Sequence, residues 1–369
     1  MFDSQEIIET VRVLVECESP SGDSAANQEM ANTVSMIGEE LLGKPPELLD
    51  RAGCRHLKWE FNRPQSVEQN VLILAHYDTV WPIGTLNERP FKIKGDRLLG
   101  PGVFDMKAGL AIAMHAIADI PIGERFGITL LVTGDEEIGS TTSRALIEEQ
   151  ARKASAVLVL EPSGEMGALK TARKGIALYQ LEISGRAAHA GLDPDSGVNA
   201  GTELANCILT IPKFGNRSLG TTVNPTLASA GTSINSIPGE AKLAIDVRAW
   251  SHDELNRVDH LVKHMTTSIP GASISVNGGI NRPPLEDANS LRLFEIANRV
   301  SERLGLGELT QAGVGGASDG NFTAALGIPT LDGLGAVGGG AHSEDEYVQI
   351  DQLLPRVSLL TGLLRELTS

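Results

Sequence analysis

The chain has 369 residues and a formal net charge of −16, from 47 acidic and 31 basic side chains. Its length suits two domains, at roughly 100 to 200 residues per domain. The acidic balance, which no Lys/Arg cluster interrupts, argues against a nucleic-acid or anionic-membrane partner.

The N-terminus has acidic residues where a signal peptide would need a basic start and an apolar run. No stretch reaches the ~20 apolar residues that span a bilayer. We therefore expect a cytoplasmic protein.

The first 170 residues alternate helical periodicity with short apolar runs, a pattern typical of α/β domains. The apolar runs predict strands buried on both faces, with helices covering them. The predicted strands are 70–75, 127–134 and 156–161, and the predicted helices are 110–120 and 141–153.

From about Gly175 the pattern becomes strand, helix, two strands, helix and strand, the order of a ferredoxin-like split βαβ module. These segments are 177–185, 199–211, 226–234, 241–250, 251–265 and 272–280. After about Pro284 the α/β pattern resumes with a helix at 288–304, a strand near 328–334 and a final helix at 351–367. We predict a two-domain α/β protein, with a larger domain of residues 1–174 and 285–369 and an inserted ferredoxin-like α+β domain at 175–284.

His76 and Asp78 stand two residues apart at the end of a predicted strand, so their side chains point the same way. Ligands gather at the carboxyl ends of strands in open α/β sheets. A metal-bound imidazole usually donates its other N–H to an oxygen acceptor, and Asp78 could accept it from His76. A strand-end His and Asp that merely cap a loop explain this pair equally well.

Further acids follow in chain order. Asp105 lies in a tight Gly/Pro loop before a helix, where it could bridge two cations, although an Asp in this position is more often an N-cap. Asp135, Glu136 and Glu137 stand together after one predicted strand, and Glu161 ends another. Adjacent carboxylates at an apolar strand end repel one another unless cations neutralise them.

A glycine run then delivers His342 close to Glu344 and Glu346. The three cysteines are odd in number and share no CxxC spacing, so any metal must use imidazole and carboxylate ligands. His56 stands in a polar context without an evident partner. Together, the strand-end and glycine-loop positions offer His, Asp, Glu, Glu and His, a set suited to borderline cations such as Zn²⁺.

Six motifs in this order resemble the M20 family of metallopeptidases, especially the glutamate carboxypeptidases of the carboxypeptidase G2 type. The resemblance covers nearly the full length. The motifs are HYDTVWPIGTL at 76–86, GPGVFDMKAG at 100–109, DEEIGS at 135–140, EPS at 161–163, SGRAAHAG at 184–191 and AH at 341–342 before an acidic loop.

The resemblance implies two Zn²⁺ ions per subunit, with Co²⁺ or Mn²⁺ as alternatives. Asp105 would bridge the ions, and the other ligands would be His76 with Glu161 on one ion and Glu137 with His342 on the second. Glu136 would be the general base that takes a proton from water and passes it to the leaving nitrogen. The family pattern also implies a cis peptide bond between Asp105 and Met106.

The inserted domain resembles the family's lid and dimerisation domain. On that resemblance His189 would donate to the oxyanion in the partner subunit's active site, and Asn235 and Arg248 would hold the substrate's free carboxylate. The loop that carries Ser318, just before a helix, would add backbone N–H donors to the same pocket.

The expected activity is hydrolysis of an amide bond adjacent to a free carboxylate, releasing a C-terminal amino acid of the glutamate type from peptides or N-acyl amino acids. The expected assembly is a homodimer. Aminoacylase, dipeptidase and desuccinylase activities stay open, because the metal motifs do not separate them. Lys170, Arg173 and Arg282 are the basic residues considered for an acidic substrate side chain. A non-catalytic amino-acid or peptide-binding protein on this scaffold would have lost Glu136 or a metal ligand, and none is lost.

Overall fold

The computed structural model describes residues 3–61 and 70–369. It divides into two compact units. The larger unit comprises Met1–Ala172, Glu286–Val314 and Ser318–Ser369, and the smaller comprises Arg173–Leu285 with Gly315–Ala317. Within the described ranges, none of the helices combines the length and apolarity that crossing a membrane requires.

The elements are numbered in chain order. Up to Arg173 they are α1 (Ser4–Glu16), α2 (Ser24–Leu42), β1 (Glu47–Arg51), β2 (Cys54–Phe61), β3 (Val71–His76), α3 (Thr85–Glu88), β4 (Lys92–Lys94), β5 (Arg97–Leu99), α4 (Ala108–Ala118), β6 (Ile128–Thr133), α5 (Arg144–Ala151), β7 (Ala156–Val159) and β8 (Leu169–Arg173). The next are β9 (Gly175–Ser184), β10 (Ala188–His189), α6 (Ala200–Thr210), β11 (Thr222–Ala230), β12 (Ser236–Ile237), β13 (Glu240–Ala249), α7 (His252–Lys263) and β14 (Ser273–Arg282). The last are α8 (Leu291–Leu304), β15 (Gln311–Val314), α9 (Gly320–Ala325), β16 (Thr330–Leu331), β17 (Gly338–Gly339), β18 (Tyr347–Gln349) and α10 (Leu353–Thr368).

The main sheet of the larger unit has the strand order β1-β2-β6-β3-β7-β16. Strand β3 is parallel to both β6 and β7, and β16 is parallel to β7, whereas β1 and β2 form an antiparallel edge. Every residue of β3, β6 and β7 is buried, as predicted for strands covered on both faces. The carboxyl ends of three neighbouring strands therefore meet at one edge of the sheet.

Helix α4 packs tightly beside that edge. Residues Ala108 to Ile117 of this apolar helix are all buried. A Cβ atom added at Gly109 would lie 2.1 Å from the carbonyl oxygen of Leu160, so only glycine permits this approach. The loop that precedes α4 is thereby held close to the end of β7.

A second sheet, β17-β18-β5-β4, lies in the same unit. Strand β18 pairs antiparallel with β5, matching Tyr347 with Leu99, and β17 pairs with β18. The sequence patterns did not predict this sheet. It brings the loop between β17 and β18 next to the loop that follows β5.

The smaller unit is an antiparallel sheet of order β11-β13-β9-β14, with α6 between β9 and β11 and α7 between β13 and β14. This is the split βαβ topology that the sequence predicted, and the predicted α/β class is confirmed. The strand predicted at 226–234 instead runs from Thr222 to Ala230, with a register shift between Pro225 and Leu227. It ends early because Gly231, with φ +67°, turns the chain.

Candidate metal centre

Three adjacent strands deliver polar side chains to the carboxyl edge of the main sheet. His76 is the last residue of β3, Glu136 and Glu137 lie in a short helical turn just after β6, and Glu161 follows β7. Potential ligand atoms of His76, Glu136 and Glu161 all lie within 4.8 Å of one another. The same spacing relates His76, Asp105 and Glu137. The sheet therefore gathers residues that are far apart in the sequence.

Asp105 lies between two histidines. One carboxylate oxygen, Oδ1, is 3.4 Å from His76 Nε2, and the other, Oδ2, is 3.5 Å from His342 Nε2. His342 Nε2 is also 3.1 Å from Glu137 Oε1, and His76 Nε2 is 3.5 Å from Glu161 Oε1. Each oxygen of Asp105 thus faces its own group of one histidine and one glutamate.

The orientation of His76 leaves one ring nitrogen aimed at carboxylates. Its Nδ1 lies 3.0 Å from the main-chain oxygen of Asp78 and 3.4 Å from Asp78 Oδ1, so Nδ1 carries the hydrogen. The other ring nitrogen, Nε2, then faces Asp105 and Glu161. Among the described residues, neither His76 Nε2 nor Asp105 Oδ1 has a hydrogen-bond partner, although both are buried. Because unpaired buried polar atoms are costly, this arrangement fits a bound cation.

The electrostatics of the centre agree with that fit. Burial opposes a charge on His76, but the carboxylates of Asp105, Asp78 and Glu161 outweigh burial and raise the pKa of the imidazole well above its usual value. The hydrogen bond with Glu137 raises the pKa of His342 to about 9. Burial raises the pKa of the Glu137 carboxyl, which His342 partly offsets. The centre therefore favours positive charge between these groups.

Asp78 contacts His76 and also holds the turn after β6 in place. Its Oδ1 accepts from the backbone N–H of Glu136 and its Oδ2 from that of Glu137, both at 3.1 Å, while Ser21 Oγ donates to Oδ2 at 2.5 Å. Burial opposes ionisation of Asp78, but these bonds and His76 lower its pKa. Asp78 thus stays charged and fixes the backbone of both glutamates.

The loop around His342 has an uncommon backbone. His342 has φ +61°, in the left-handed region that non-glycine residues seldom adopt. Such conformations cluster at functional sites, where the surroundings enforce them. The Asp105–Met106 peptide bond is cis, as predicted.

Comparison with known proteins identifies the family. The model of peptidase family M20/M25/M40 matches residues 72–366. The chain is 30% identical to carboxypeptidase G2 of Pseudomonas sp. (strain RS-16), over 98% of this chain and 89% of that protein. The chain belongs to peptidase family M20/M25/M40. It is 26% identical to succinyl-diaminopimelate desuccinylase of Thioalkalivibrio sulfidiphilus, over 92% of this chain and 99% of that protein.

Solved structures of the family share this fold. An M20 family metallo-carboxypeptidase from Sulfolobus solfataricus superposes with a TM-score of 0.76 at 20% identity, covering 100% of both chains. The predicted family is confirmed, and this M20 chain is an enzyme, a metallopeptidase or amidohydrolase. It belongs to a metal-dependent family, and its gathered side chains provide candidate metal-binding groups.

Asp135, which stands beside Glu136 and Glu137 in the sequence of this M20 chain, lies in a different group of polar side chains. Its Oδ2 instead accepts from Thr142 N at 2.7 Å and Thr142 Oγ1 at 2.8 Å. Cys54, His56 and Asp135 do bring ligand-type atoms within 4.8 Å of one another. However, His56 Nε2 lies 3.0 Å from the same Thr142 hydroxyl. Hydrogen bonds to Thr142 therefore explain why His56 and Asp135 lie close together. Thr142 is also the partner that the sequence did not reveal for His56.

Ser318 is fully buried in this enzyme. Its hydroxyl donates to Asp332 Oδ2 at 2.6 Å, and its backbone N–H donates to Asn321 Oδ1 at 2.9 Å. The Ser318 N–H, a donor of the kind that the sequence assigned to a substrate pocket, is thus engaged inside the larger unit, and so is the hydroxyl. The following helix, α9, has only six residues. This placement gives no support to Ser318 as a substrate-binding residue.

The other predicted substrate-binding residues of the M20 chain lie in the smaller unit. His189 pairs with Ser236 in the β10–β12 ladder, and Asn235 O accepts from Ala190 N at 2.9 Å, so His189 and Asn235 share one corner. Arg248, on β13, donates from Nε and Nη2 to the two oxygens of Asp246, each at 3.0 Å.

Glu346 was predicted from the sequence to lie near His342, without an assigned role. The carboxylate is almost fully buried and accepts hydrogen bonds from the loop that carries Asp105. Its neighbours Glu344 and Asp345 are also acidic, so composition did not single it out.

Proposed function

We propose that this chain is a di-zinc hydrolase that cleaves an amide bond adjacent to a free carboxylate. It would release a C-terminal amino acid of the glutamate type from peptides or N-acyl amino acids. The observation that carries the proposal is the position of His76 Nε2, which has no hydrogen-bond partner among the described residues and faces the carboxylates of Asp105 and Glu161 at 3.4 and 3.5 Å. The two carboxylates would repel each other without a positive charge between them, and all three groups are of the type that binds Zn²⁺.

The proposed ligand assignment follows the two sides of Asp105. His76 and Glu161 would complete one coordination sphere, and Glu137 and His342 the other. Histidine nitrogens with carboxylate oxygens suit Zn²⁺, and the same donors also accept Co²⁺ or Mn²⁺. A separation of about 3.5 Å between the ions is expected for a two-metal site.

Paired metal ions supply Lewis acidity and lower the pKa of water in hydrolases of this kind. The protein's contribution is the placement of the proton-transfer group. Glu136 is only 7% exposed, and its carboxylate lies within 4.8 Å of the ligand atoms of His76 and Glu161. Its backbone N–H is held by Asp78. We assign it as the general base that accepts a proton from water and delivers it to the leaving nitrogen.

Arg248 and Asn235 are the proposed anchors for the free carboxylate of the substrate. A guanidinium group can form two parallel hydrogen bonds with a carboxylate, and the pairing with Asp246 fixes the position of the Arg248 guanidinium. Lys174 lies close enough to Arg248 for the arginine charge to lower the lysine pKa, after the larger effect of burial. Two cationic side chains therefore lie near each other beside the Asp246 carboxylate.

His189 is proposed as the donor to the oxyanion. Its Nδ1 accepts hydrogen bonds from the backbone N–H groups of Gly191 and Leu192, at 3.1 and 3.0 Å. Because Nδ1 is the acceptor, the hydrogen of the neutral ring lies on Nε2. The side chain is exposed, so this N–H can donate to a substrate. We further propose that it acts in the partner subunit of a homodimer.

Zinc stoichiometry tests the bridging assignment. We expect the zinc-saturated protein to hold two ions per chain, and Asp105→Asn to lose affinity at both sites, because one substitution weakens a shared ligand. Elemental analysis after gel filtration measures both proteins. Glu148→Gln, at a distant ion pair on α5, is the matched control and should keep two ions. One tightly held ion per saturated wild-type chain contradicts the bridged centre.

Three other activities within the family compete with glutamate release. Desuccinylase activity is favoured by the similarity to succinyl-diaminopimelate desuccinylase, which extends over 99% of that protein. Aminoacylase or dipeptidase activity would use the same metal ligands. A non-catalytic binding protein is disfavoured, because Glu136 and the full ligand set are present.

A substrate panel tests the proposed function directly. Zinc-loaded protein would be offered N-acyl-glutamates, N-acyl apolar amino acids, dipeptides and N-succinyl diamino acids, with amine release measured for each. We expect the highest kcat/KM for the N-acyl-glutamates. Preference for the succinyl substrates would replace the glutamate assignment by a desuccinylase, and no hydrolysis of any member would contradict an amide-cleaving enzyme.

A further inference from the structure

We propose that Glu346 is a positioning residue that fixes the bridging carboxylate of Asp105 relative to His342 and thereby sets the metal affinity of the centre. The inference rests on the proposed metal centre. It concerns a residue that contacts the metal ligands through hydrogen bonds and is not itself among them.

Both carboxylate oxygens of Glu346 accept hydrogen bonds, and the donors belong to one neighbouring loop and one side chain. Its Oε1 accepts from the backbone N–H groups of Phe104 and Asp105, at 2.8 and 2.9 Å. Its Oε2 accepts from Gly102 N at 2.9 Å and from Trp81 Nε1 at 3.1 Å. The carboxylate is 2% exposed and each oxygen already has two donors, so it is poorly placed to ligate a metal.

These four bonds join three segments of the centre. Trp81 follows the strand that carries His76, the N–H donors belong to the loop that carries Asp105, and Glu346 ends the loop that carries His342. The donors lie 241 to 265 residues from Glu346 in sequence. The buried carboxylate of Glu346 therefore connects three segments whose positions are not fixed by hydrogen bonds of the main sheet.

The bond from Asp105 N is the most direct link to the metal ligands. It fixes the main chain of Asp105, whose two carboxylate oxygens must face His76 and His342 at once. A loop with successive N–H groups aimed at one point is an anion-binding nest, which costs free energy if the anion is removed. Without Glu346, these N–H groups would need other partners, and the loop would shift.

The test compares Glu346→Gln with Glu344→Gln. Both substitutions remove one negative charge from the same loop, but Glu344 is exposed. Zinc affinity would be measured by competition with a chromophoric chelator, starting from metal-free protein whose folding is checked by circular dichroism. We expect Glu346→Gln to bind zinc about 10- to 100-fold more weakly, the usual loss when a partner of a metal ligand is removed. Glu344→Gln should stay within about 2-fold of wild type.

Trp81→Phe supplies a milder variant in case Glu346→Gln fails to fold. It removes only the indole N–H donor, and we expect a loss of about 2- to 10-fold in zinc affinity, the value of one hydrogen bond. If folded Glu346→Gln keeps wild-type affinity, or loses no more than Glu344→Gln, the proposal is overturned. If Glu346→Gln does not fold, unchanged zinc affinity in Trp81→Phe overturns it. A wild-type protein that binds no zinc would instead contradict the metal centre itself.

Discussion

Replacement of Glu136 by glutamine should abolish most activity while leaving the metal content intact. The amide is nearly isosteric with the carboxyl group but cannot accept and return a proton at neutral pH. General acid–base catalysis contributes about 10²- to 10⁴-fold, so kcat should fall by that factor. The backbone of Glu136 is held by Asp78, so the fold of the turn should survive the change.

The competing role for Glu136 is ligation, because its carboxylate lies within 4.8 Å of ligand atoms on His76 and Glu161. The contrast with Glu137→Gln separates the two roles. Glu137 contacts His342 at 3.1 Å, and its replacement should lower zinc content as well as kcat. Paired measurements of kcat and zinc by elemental analysis decide the question. Unchanged turnover in Glu136→Gln removes it as the base, and loss of zinc makes it a ligand.

Much of the candidate metal centre could be predicted because parallel strands buried on both faces leave a clear sequence pattern. His76, Glu136, Glu137 and Glu161 each follow an apolar run, and adjacent parallel strands end at one edge of a sheet. Asp105 and His342 lie in loops instead. They could be predicted only through the ordered motifs that resemble the family.

Residues that depend on contacts distant in sequence could not be predicted. Glu346 is distinguished from Glu344 only by donors more than 240 residues away, which no local pattern encodes. Asp135 has the same sequence context as the glutamates beside it, yet the backbone of the turn directs it to Thr142. The sequence therefore offered no means of separating Asp135 from Glu136 and Glu137.

Strands β1 and β2, at one edge of the main sheet, were also not predicted from the sequence. Strand β1 is mostly exposed, and its residues carry no apolar alternation that marks a buried face. The antiparallel pairing of β2 with β6 extends the sheet by contacts that a search for βα units overlooks. The strands of the inserted domain were easier to predict from the sequence, because β9 and β13 alternate buried residues with more exposed ones.

The expected result that most directly tests the dimer is restored activity when two inactive proteins exchange subunits. His189→Ala lacks the proposed oxyanion donor, a loss of roughly 3 to 4 kcal/mol by comparison with other such donors. Glu136→Gln lacks the base. If His189 acts in the partner's site, a heterodimer has one site with the metals and Glu136 from one chain and His189 from the other. Random exchange of an equal mixture makes half the dimers mixed, so about a quarter of all sites should become active.

The matched control is a mixture of Glu136→Gln with Asp105→Asn. Both changes lie in the larger unit, so neither chain can repair the other's metal centre, and activity should stay low. The tautomer of His189 supports the donor role, since Gly191 and Leu192 direct hydrogen bonds at Nδ1 and leave the hydrogen on Nε2. Exchange would be verified by native mass spectrometry. Verified exchange without recovered activity would show that His189 does not act across the dimer, because every other component of one site would then be intact.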